Sequence, residues 1–489
     1  MKDSARTRSL LLALGIWAAL LAGAAPGAGQ ERFRRSQPNP DPLPQLRLPA
    51  IETHRLSNGL LLAVCKRDRL PLISLQLIIL AGEAQSPDDV PGTATLAARL
   101  IQQGTDLISA EEVKARIEAI GGEFSTSTQL DDSLFTFNFL EDHLDKALEI
   151  LAPLILQPSF PRRELDVVKR TMRYALLERD KDPEFLAKRQ LLRLLFPKHP
   201  YRKGIFSDDV IKAIGRPHVQ AFYDANYRPN NAIMVLSGNL SLTTATGKVS
   251  HYLNTWRPKD IVRPPVAPPE PNLKERICLI DNPQTRDATL SIGTVIGPAS
   301  DADTLPLEIL SQVLGGTPTS RLFMNLRETK GYAFFAFSEL DLFKNCGLFL
   351  VRARVRPEFC GISIREILGE IAGIVEEQVP SYDIEQAKSR LIGNFPLRIE
   401  AFDQLALRVA QIKAFNLGEE SWNRHYEVIM LVNAETVTRA AQKYPLRTPV
   451  VVIAGDKNIL VDYLHDFENI EVYNAKGVFQ YNLTRGGKE

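Results

Sequence analysis

The sequence predicts an α+β protein built from two tandem, duplicated domains, each a mixed or antiparallel sheet covered by helices, the two facing each other across a cavity. Three observations carry this. Strand-like and helix-like periodicities occur in blocks rather than in regular alternation, which argues against a doubly wound parallel sheet. Residues 73–82, ISLQLIILAG, match residues 288–297, ATLSIGTVIG, with Gly82 and Gly297 separated by 215 positions. Near the far end of each block, Tyr227 and Gly238 match Tyr444 and Gly455, both separated by 217 positions. Two matches at opposite ends with nearly equal offsets point to a repeat of a whole domain.

The chain has 489 residues, 44% hydrophobic and 24% charged, with a net charge of +1. That length exceeds what one core supports. The neutral balance gives no bulk electrostatic case for nucleic acid or an acidic membrane surface. Lys2, Arg6 and Arg8 precede an apolar run over residues 10–21, and Ala22-Gly23-Ala24 follow. This order is that of a secretory signal peptide, residues 1–24. A retained anchor is the alternative, but the run is short of the roughly 20 residues that span a bilayer. Residues 25–50, rich in Pro, Gln and Arg, read as a disordered leader.

From residue 51 the pattern becomes structural. Residues 54–67 read as two strands around a Ser57-Asn58-Gly59 turn. Residues 73–81 form a nearly continuous apolar strand of the doubly buried kind. Residues 92–105, GTATLAARLIQQGT, read as a buried helix with Leu96, Ala97, Leu100 and Ile101 on one face. A second helix at 110–120 ends at Gly121-Gly122, and residues 123–128 and 133–140 alternate as strands. Helices follow at 144–155 and 162–179, then a helical stretch to about residue 221 and a strand at 232–237. Six prolines between residues 258 and 271 exclude regular structure and predict a semi-rigid linker. The expected domains are therefore 51–257 and 273–482, joined by 258–272.

Cys65, Cys278, Cys346 and Cys360 form no CxxC pair. Export would permit disulfides, yet Cys65 and Cys278 sit in apolar strand-like runs that favour buried thiols. The seven histidines are dispersed, none within five residues of another, so no local zinc-ligand pair exists.

Six stretches, in order and at fitting spacings, carry a resemblance: SNGLLLAV (57–64), GTATLAARLIQQGT (92–105), IGGEFSTST (120–128), FYDANYRPNNAIMVLSGN (222–239), SRLFMNLRETKGYAFFAF (320–337) and VVVIAGD (450–456). Together they resemble the pitrilysin/insulinase family of zinc peptidases, in the two-domain form akin to mitochondrial processing peptidase subunits. The family's helix carries His-x-x-Glu-His, whose histidines ligate zinc and whose glutamate activates the metal-bound water. Here those positions read Thr95, Ala98 and Arg99, and the later glutamate falls within Tyr174–Leu176, where no acid stands. Glu178 is the nearest carboxylate but is displaced along the helix. The resemblance therefore implies a non-catalytic member: no catalytic residue, no metal ligand and no cofactor. For Arg99 two readings stand, a helix-surface cation or a guanidinium that fills the vacated site and pairs with a carboxylate.

The resemblance also implies two substrate-binding patches. Active relatives carry an Arg and a Tyr seven residues apart in the second domain; here they read Arg327 and Phe334, with Tyr332 two residues earlier. If Tyr332 and Phe334 share a strand, they share a face. The family's edge strand, which takes up peptide by strand addition, corresponds to residues 121–128 and includes Phe124, Ser125 and Thr126. The function implied is that of a peptide-binding partner of an active, zinc-bearing homologous subunit, in an exported heterodimer that is periplasmic or secreted, with no nucleic acid and no membrane span after signal cleavage. An assembly scaffold and a homodimeric peptide-binding protein are the rivals.

Overall fold

The computed structural model describes residues 48–272, 274–418, 422, 424–484 and 487–488. The signal-peptide expectation and most of the leader lie outside the described residues. Where strands were expected on either side of residues 57–59, β1 (Ile51–Arg55) and β2 (Leu61–Lys66) pair antiparallel. The turn needs Gly59: its φ is +92°, and a Cβ there would meet Asn230 Cβ at 2.9 Å.

After β3 (Leu72–Ile79) come α1 (Thr93–Ile101), α2 (Ala110–Ala119) and the hairpin β4 (Glu123–Thr128) and β5 (Ser133–Leu140). Then follow α3 (Leu144–Leu156) and α4 (Arg162–Arg179). The helical stretch expected to run on to about residue 221 is instead broken into α5 (Pro183–Leu195), α6 (Asp208–Ala213) and α7 (Arg216–Asn226). Asp182, Ser207 and Gly215 start these three segments, with Asp182 and Ser207 capping their helices through side-chain oxygens. β6 (Ala232–Gly238) and α8 (Leu242–Leu253) complete the first half. Its sheet has the order β1-β2-β6-β3-β5-β4, antiparallel except where β2 meets β6. Residues 257–272 carry no helix or strand.

The second half repeats the plan. It contains β7 (Arg276–Asp281), β8 (Ala288–Ile296), α9 (Thr304–Gly315) and a short helix α10 (Arg321–Phe323) that widens into a π turn at Met324–Thr329. β9 (Ala333–Leu342), β10 (Gly347–Val355), α11 (Cys360–Glu376), α12 (Ser381–Arg398) and α13 (Phe402–Ala414) follow. Next come α14 (His425–Leu431), α15 (Ala434–Lys443), β11 (Val450–Gly455), α16 (Lys457–Leu460), β12 (Asn469–Asn474), β13 (Phe479–Thr484) and β14 (Gly487–Lys488). The second sheet runs β14-β13-β12-β7-β11-β8-β10-β9. Its run β7-β11-β8-β10-β9 has the same connectivity and direction as β2-β6-β3-β5-β4, so the duplication read from two short matches extends over five strands.

Each half lends one helix to the other. Leu186, Ala187, Leu191 and Leu195 of α5 are buried with Cys278, Leu348, Leu350, Val450 and Val452 of the second sheet. In return Leu405, Ala406, Val409 and Ala410 of α13 are buried with Ala63, Cys65, Ile78, Ile233 and Val235 of the first. Each sheet is therefore sandwiched between its own helices on one face and a borrowed helix on the other, so its central strands are apolar on both sides.

The tips of the two edge hairpins also meet. Tyr201 Oη donates to Asp131 at 2.8 Å, the Lys344 N–H donates to the same carboxylate at 2.8 Å, and the Asn345 N–H donates to Tyr201 Oη at 3.0 Å. All four cysteines are buried free thiols. Among the described residues no helix is long and apolar enough to cross a membrane.

Candidate functional site

The region to test is the helix α1 and what surrounds it. Its seven other residues are buried, and only Thr95 and Arg99 are half-exposed. They stand four residues apart, one turn along the same face. The first and last positions of the expected metal motif thus form the open stripe of an otherwise enclosed helix, and Ala98, fully buried, sits beneath it.

The helix begins without a side-chain cap of its own. Gly92 precedes it at φ +97°, and a Cβ at that position would meet the Phe206 ring at 3.3 Å. The orphan donors of the first turn are satisfied from a distance by Glu83, which is only 4% exposed. One carboxylate oxygen accepts from the Thr95 N–H at 2.8 Å and from Thr95 Oγ at 2.5 Å. The other accepts from the Gly92 N–H at 2.9 Å and from Ser86 Oγ at 2.8 Å. Burial pushes the Glu83 carboxyl above the usual range, and the bonds from Thr95, Ser86 and Gly92 oppose that shift. A carboxylate at a helix N-terminus also meets the positive end of the helix dipole. Sequence patterning missed Glu83. The one available sign was an acid in an apolar neighbourhood shortly before a helix.

These residues do not fit zinc. Thr95 has committed its hydroxyl to Glu83, Ala98 has no donor atom, and Arg99 is a cation. Both oxygens of Glu83 are occupied by protein donors. On α4, Tyr174 is 68% exposed, Leu176 is buried in the core, and Glu178 lies in solvent with Lys181 Nζ 2.7 Å from its carboxylate. Among the described residues no group of three or more His, Cys, Asp or Glu is placed to hold a metal ion. The pairing of Arg99 with a carboxylate also fails. Among the described residues it has no ion-pair partner, and Glu83, at the head of the same helix, is occupied by donors from Ser86, Gly92 and Thr95. Burial alone lowers its pKa.

Phe124, Ser125 and Thr126 lie on β4, the edge of the first sheet. β4 pairs only with β5, in continuous register from Glu123↔Asn138 to Thr128↔Ser133. Phe124 leans inward, with its ring 5.2 Å from that of Phe137, and Ser125 faces solvent. α1 packs against this strand. Thus the open stripe of the helix and the open edge of the sheet belong to neighbouring elements.

The second patch is arranged differently from the sequence expectation. Arg327 sits in the π turn, its side chain 49% exposed, with its guanidinium 4.8 Å from the Phe323 ring centroid and 3.7 Å from Glu328. Phe334 is on β9 and 49% exposed, with the Arg354 guanidinium 5.7 Å from its ring. Tyr332 does not share a strand face with Phe334. It precedes β9, and its ring stacks on Phe359 at 4.5 Å, 21° between planes. The physical reason is a register irregularity at Arg354/Val355, where β9 begins, together with a backbone bond from the Tyr332 N–H to Leu326 O. A recess of about 370 Å³ elsewhere in the second half is lined by none of these residues.

Comparison with known proteins places the chain in one family. The family model described as Insulinase (Peptidase family M16) matches residues 64–209, and that described as Peptidase M16 inactive domain matches residues 213–391. An uncharacterised zinc protease of Mycobacterium tuberculosis is 26% identical over 319 residues, 64% of this chain and 72% of the relative. A protein of Helicobacter pylori named as a non-peptidase homologue is 23% identical over 333 residues, 68% of this chain and 76% of the relative. Among solved structures, a peptidase M16 inactive domain from Pseudomonas fluorescens aligns with TM-score 0.77 at 22% identity, covering 83% of this chain and 98% of that one. A protease from Helicobacter pylori aligns with TM-score 0.78 at 19% identity, covering 84% and 100%. The periplasmic protease PqqL of Escherichia coli aligns at 0.71 and 14% identity, covering 86% of this chain and 49% of that one. With residues 64–209 and 213–391 matched in order by two models of one family and the fold shared with its solved structures, this chain belongs to the insulinase family of peptidases, family M16.

Proposed function

We propose that this chain is a non-catalytic member of its family that binds extended peptide and partners an active homologous subunit in an exported heterodimeric protease. The observation that carries the reading is the pairing of an open strand edge, β4, with a helix whose metal positions read Thr95, Ala98 and Arg99. Strand addition uses main-chain hydrogen bonds and needs no particular side chain. Peptide capture therefore survives substitutions that remove cleavage. Loss of a general base alone costs about 10²–10⁴ in rate, and here the ligand positions are replaced as well.

In this reading Phe124, Ser125 and Thr126 supply the main-chain edge. Arg327 and Phe334 offer a cation and an aromatic face to substrate from the second half, and Tyr332 supports the turn that presents Arg327. The likeness to a relative named as a non-peptidase homologue supports inactivity, and the likeness to a periplasmic protease supports export. The test is metal analysis and peptide hydrolysis. The purified chain alone is expected to show neither zinc nor cleavage, and co-expression with a homologue carrying His-x-x-Glu-His is expected to give both. Stoichiometric zinc and cleavage by the single chain would overturn the reading.

A further inference from the structure

Several arginines in this molecule are answered by a carboxylate. Arg173 meets Asp208 at 2.5 Å, Arg276 holds Glu471 through two bonds of 2.8 and 2.9 Å, and Arg352 reaches Glu184 and Glu339 at 3.2 Å each. Arg99 differs. It is half-buried on the open stripe of α1, and among the described residues its guanidinium has no carboxylate, carbonyl or aromatic partner. The one bond at this residue is to its backbone oxygen, from Gln103.

Two acids on neighbouring elements are engaged elsewhere. Glu83 takes four donors at the head of the same helix, and Asp208, on the helix packed against α4, is held by Arg173 and Lys212. A half-buried guanidinium has given up part of its hydration, and its planar fork is shaped to receive two oxygens of a carboxylate. Burial lowers its pKa with no acid opposing the shift. The neighbouring element is β4, whose free edge takes the peptide in the function proposed above.

We infer that Arg99 is a carboxylate receptor for the bound peptide: the partner missing from the guanidinium is supplied by the ligand, as a C-terminal carboxylate or as an Asp or Glu side chain of a strand added to β4. The position that holds a metal ligand in active relatives would then select peptide by charge instead. This inference rests on peptide capture at β4.

The experiment separates the two. Three short extended peptides of one core sequence are titrated into the full chain by calorimetry or fluorescence anisotropy: one with a free C-terminus, one amidated, and one amidated with an internal Gln→Glu change. An acidic form is expected to bind about tenfold tighter than the neutral amide. The advantage should shrink with added salt and vanish in Arg99→Met, which keeps the apolar stem. Arg99→Lys, which keeps the charge and loses the fork, should retain part of it. Preference for the free C-terminus or for the internal Glu identifies the source of the carboxylate. Equal binding of all three peptides by the wild-type chain would overturn the inference and leave peptide capture standing. No binding of any of them would remove peptide capture and this inference with it.

Discussion

The two halves share five strands in one connectivity and exchange one helix each, yet their corresponding buried helices are begun in different ways. α1 in the first half is tied at its first turn to Glu83, a buried carboxylate nine residues before Gly92. α9 in the second half has no side-chain cap at Asp303, whose carboxylate instead pairs with Lys443 on α15. The first half therefore spends a buried acid on fixing its helix beside the open edge β4, whereas the second fixes its helix through packing and a surface ion pair. The difference marks the first half as the one whose helix position matters beyond the core.

The helix exchange makes the strongest prediction about this pairing. If each sheet depends on the borrowed helix, neither half folds alone. Residues 48–257 and 274–489 expressed separately should be insoluble or lack cooperative unfolding, and co-expressed they should assemble and elute as one species. A half that melts cooperatively alone would break the equivalence. Next in size, Leu191→Ala on α5 and Leu405→Ala on α13, both buried at the crossings, should each cost about 2–5 kcal/mol, measured by denaturant titration. Similar costs are expected if the two crossings carry equal weight. A cost confined to one would show that one half holds the other.

The exchange was not legible in the sequence, and the reason is physical. The apolar faces of α5 and α13 show that these helices are covered but not by which sheet, since a hydrophobic face carries no address. Local features read well. β4 and β5 coincide with the expected strands, α4 with the expected helix at 162–179, and the matches at Gly82/Gly297 and Tyr227/Tyr444 lie in or beside paired strands of the two halves. The vacated metal positions were likewise legible, because they are a matter of residue identity. Glu83 was not, because its bonds to Gly92 and Thr95 depend on how the loop before α1 folds back. Tyr332 misled because strand periodicity does not reveal where a strand starts, and β9 starts one residue later, at Ala333.

Glu83 supplies the next test. Glu83→Ala would leave the N–H groups of Gly92 and Thr95 and two hydroxyls without their acceptor. The expected loss is about 2–4 kcal/mol, with Glu83→Gln milder because it keeps one acceptor oxygen. The same substitution in the second half, Asp303→Ala, removes a partly exposed ion pair and should cost less than about 1 kcal/mol. Equal costs would erase the contrast between the two helices.

The junction between the halves should show a pH-dependent effect. Burial and the neighbouring Asp131 raise the Asp132 carboxyl from 3.8 to about 7, against the pull of Lys344. The folded chain then holds a proton that the unfolded chain releases between about pH 4 and 7. Stability from this group is fullest below that window and falls as pH rises through it. Asp132→Asn should flatten the profile, matching the wild type near pH 4 and melting higher than it near pH 8. Parallel melting curves across that range would show that the hairpin tips meet without this strain.

The smallest effect on stability is expected at Phe334, and it sharpens the contrast between the two open edges. Its ring is 49% exposed, with one guanidinium at 5.7 Å, so Phe334→Ala gives up little burial and should cost under about 1 kcal/mol. Ala333, its neighbour, is buried in the core, which leaves the exposed ring without a packing role to explain it. If Phe334 faces substrate, the same variant should weaken peptide binding severalfold while its melting temperature barely moves. A Ser125→Ala change on β4 should leave binding intact, because that edge is read through its main chain. Were Phe334→Ala silent in binding as well, substrate contact would not run through this ring, and the open face of β9 would have to be explained without it.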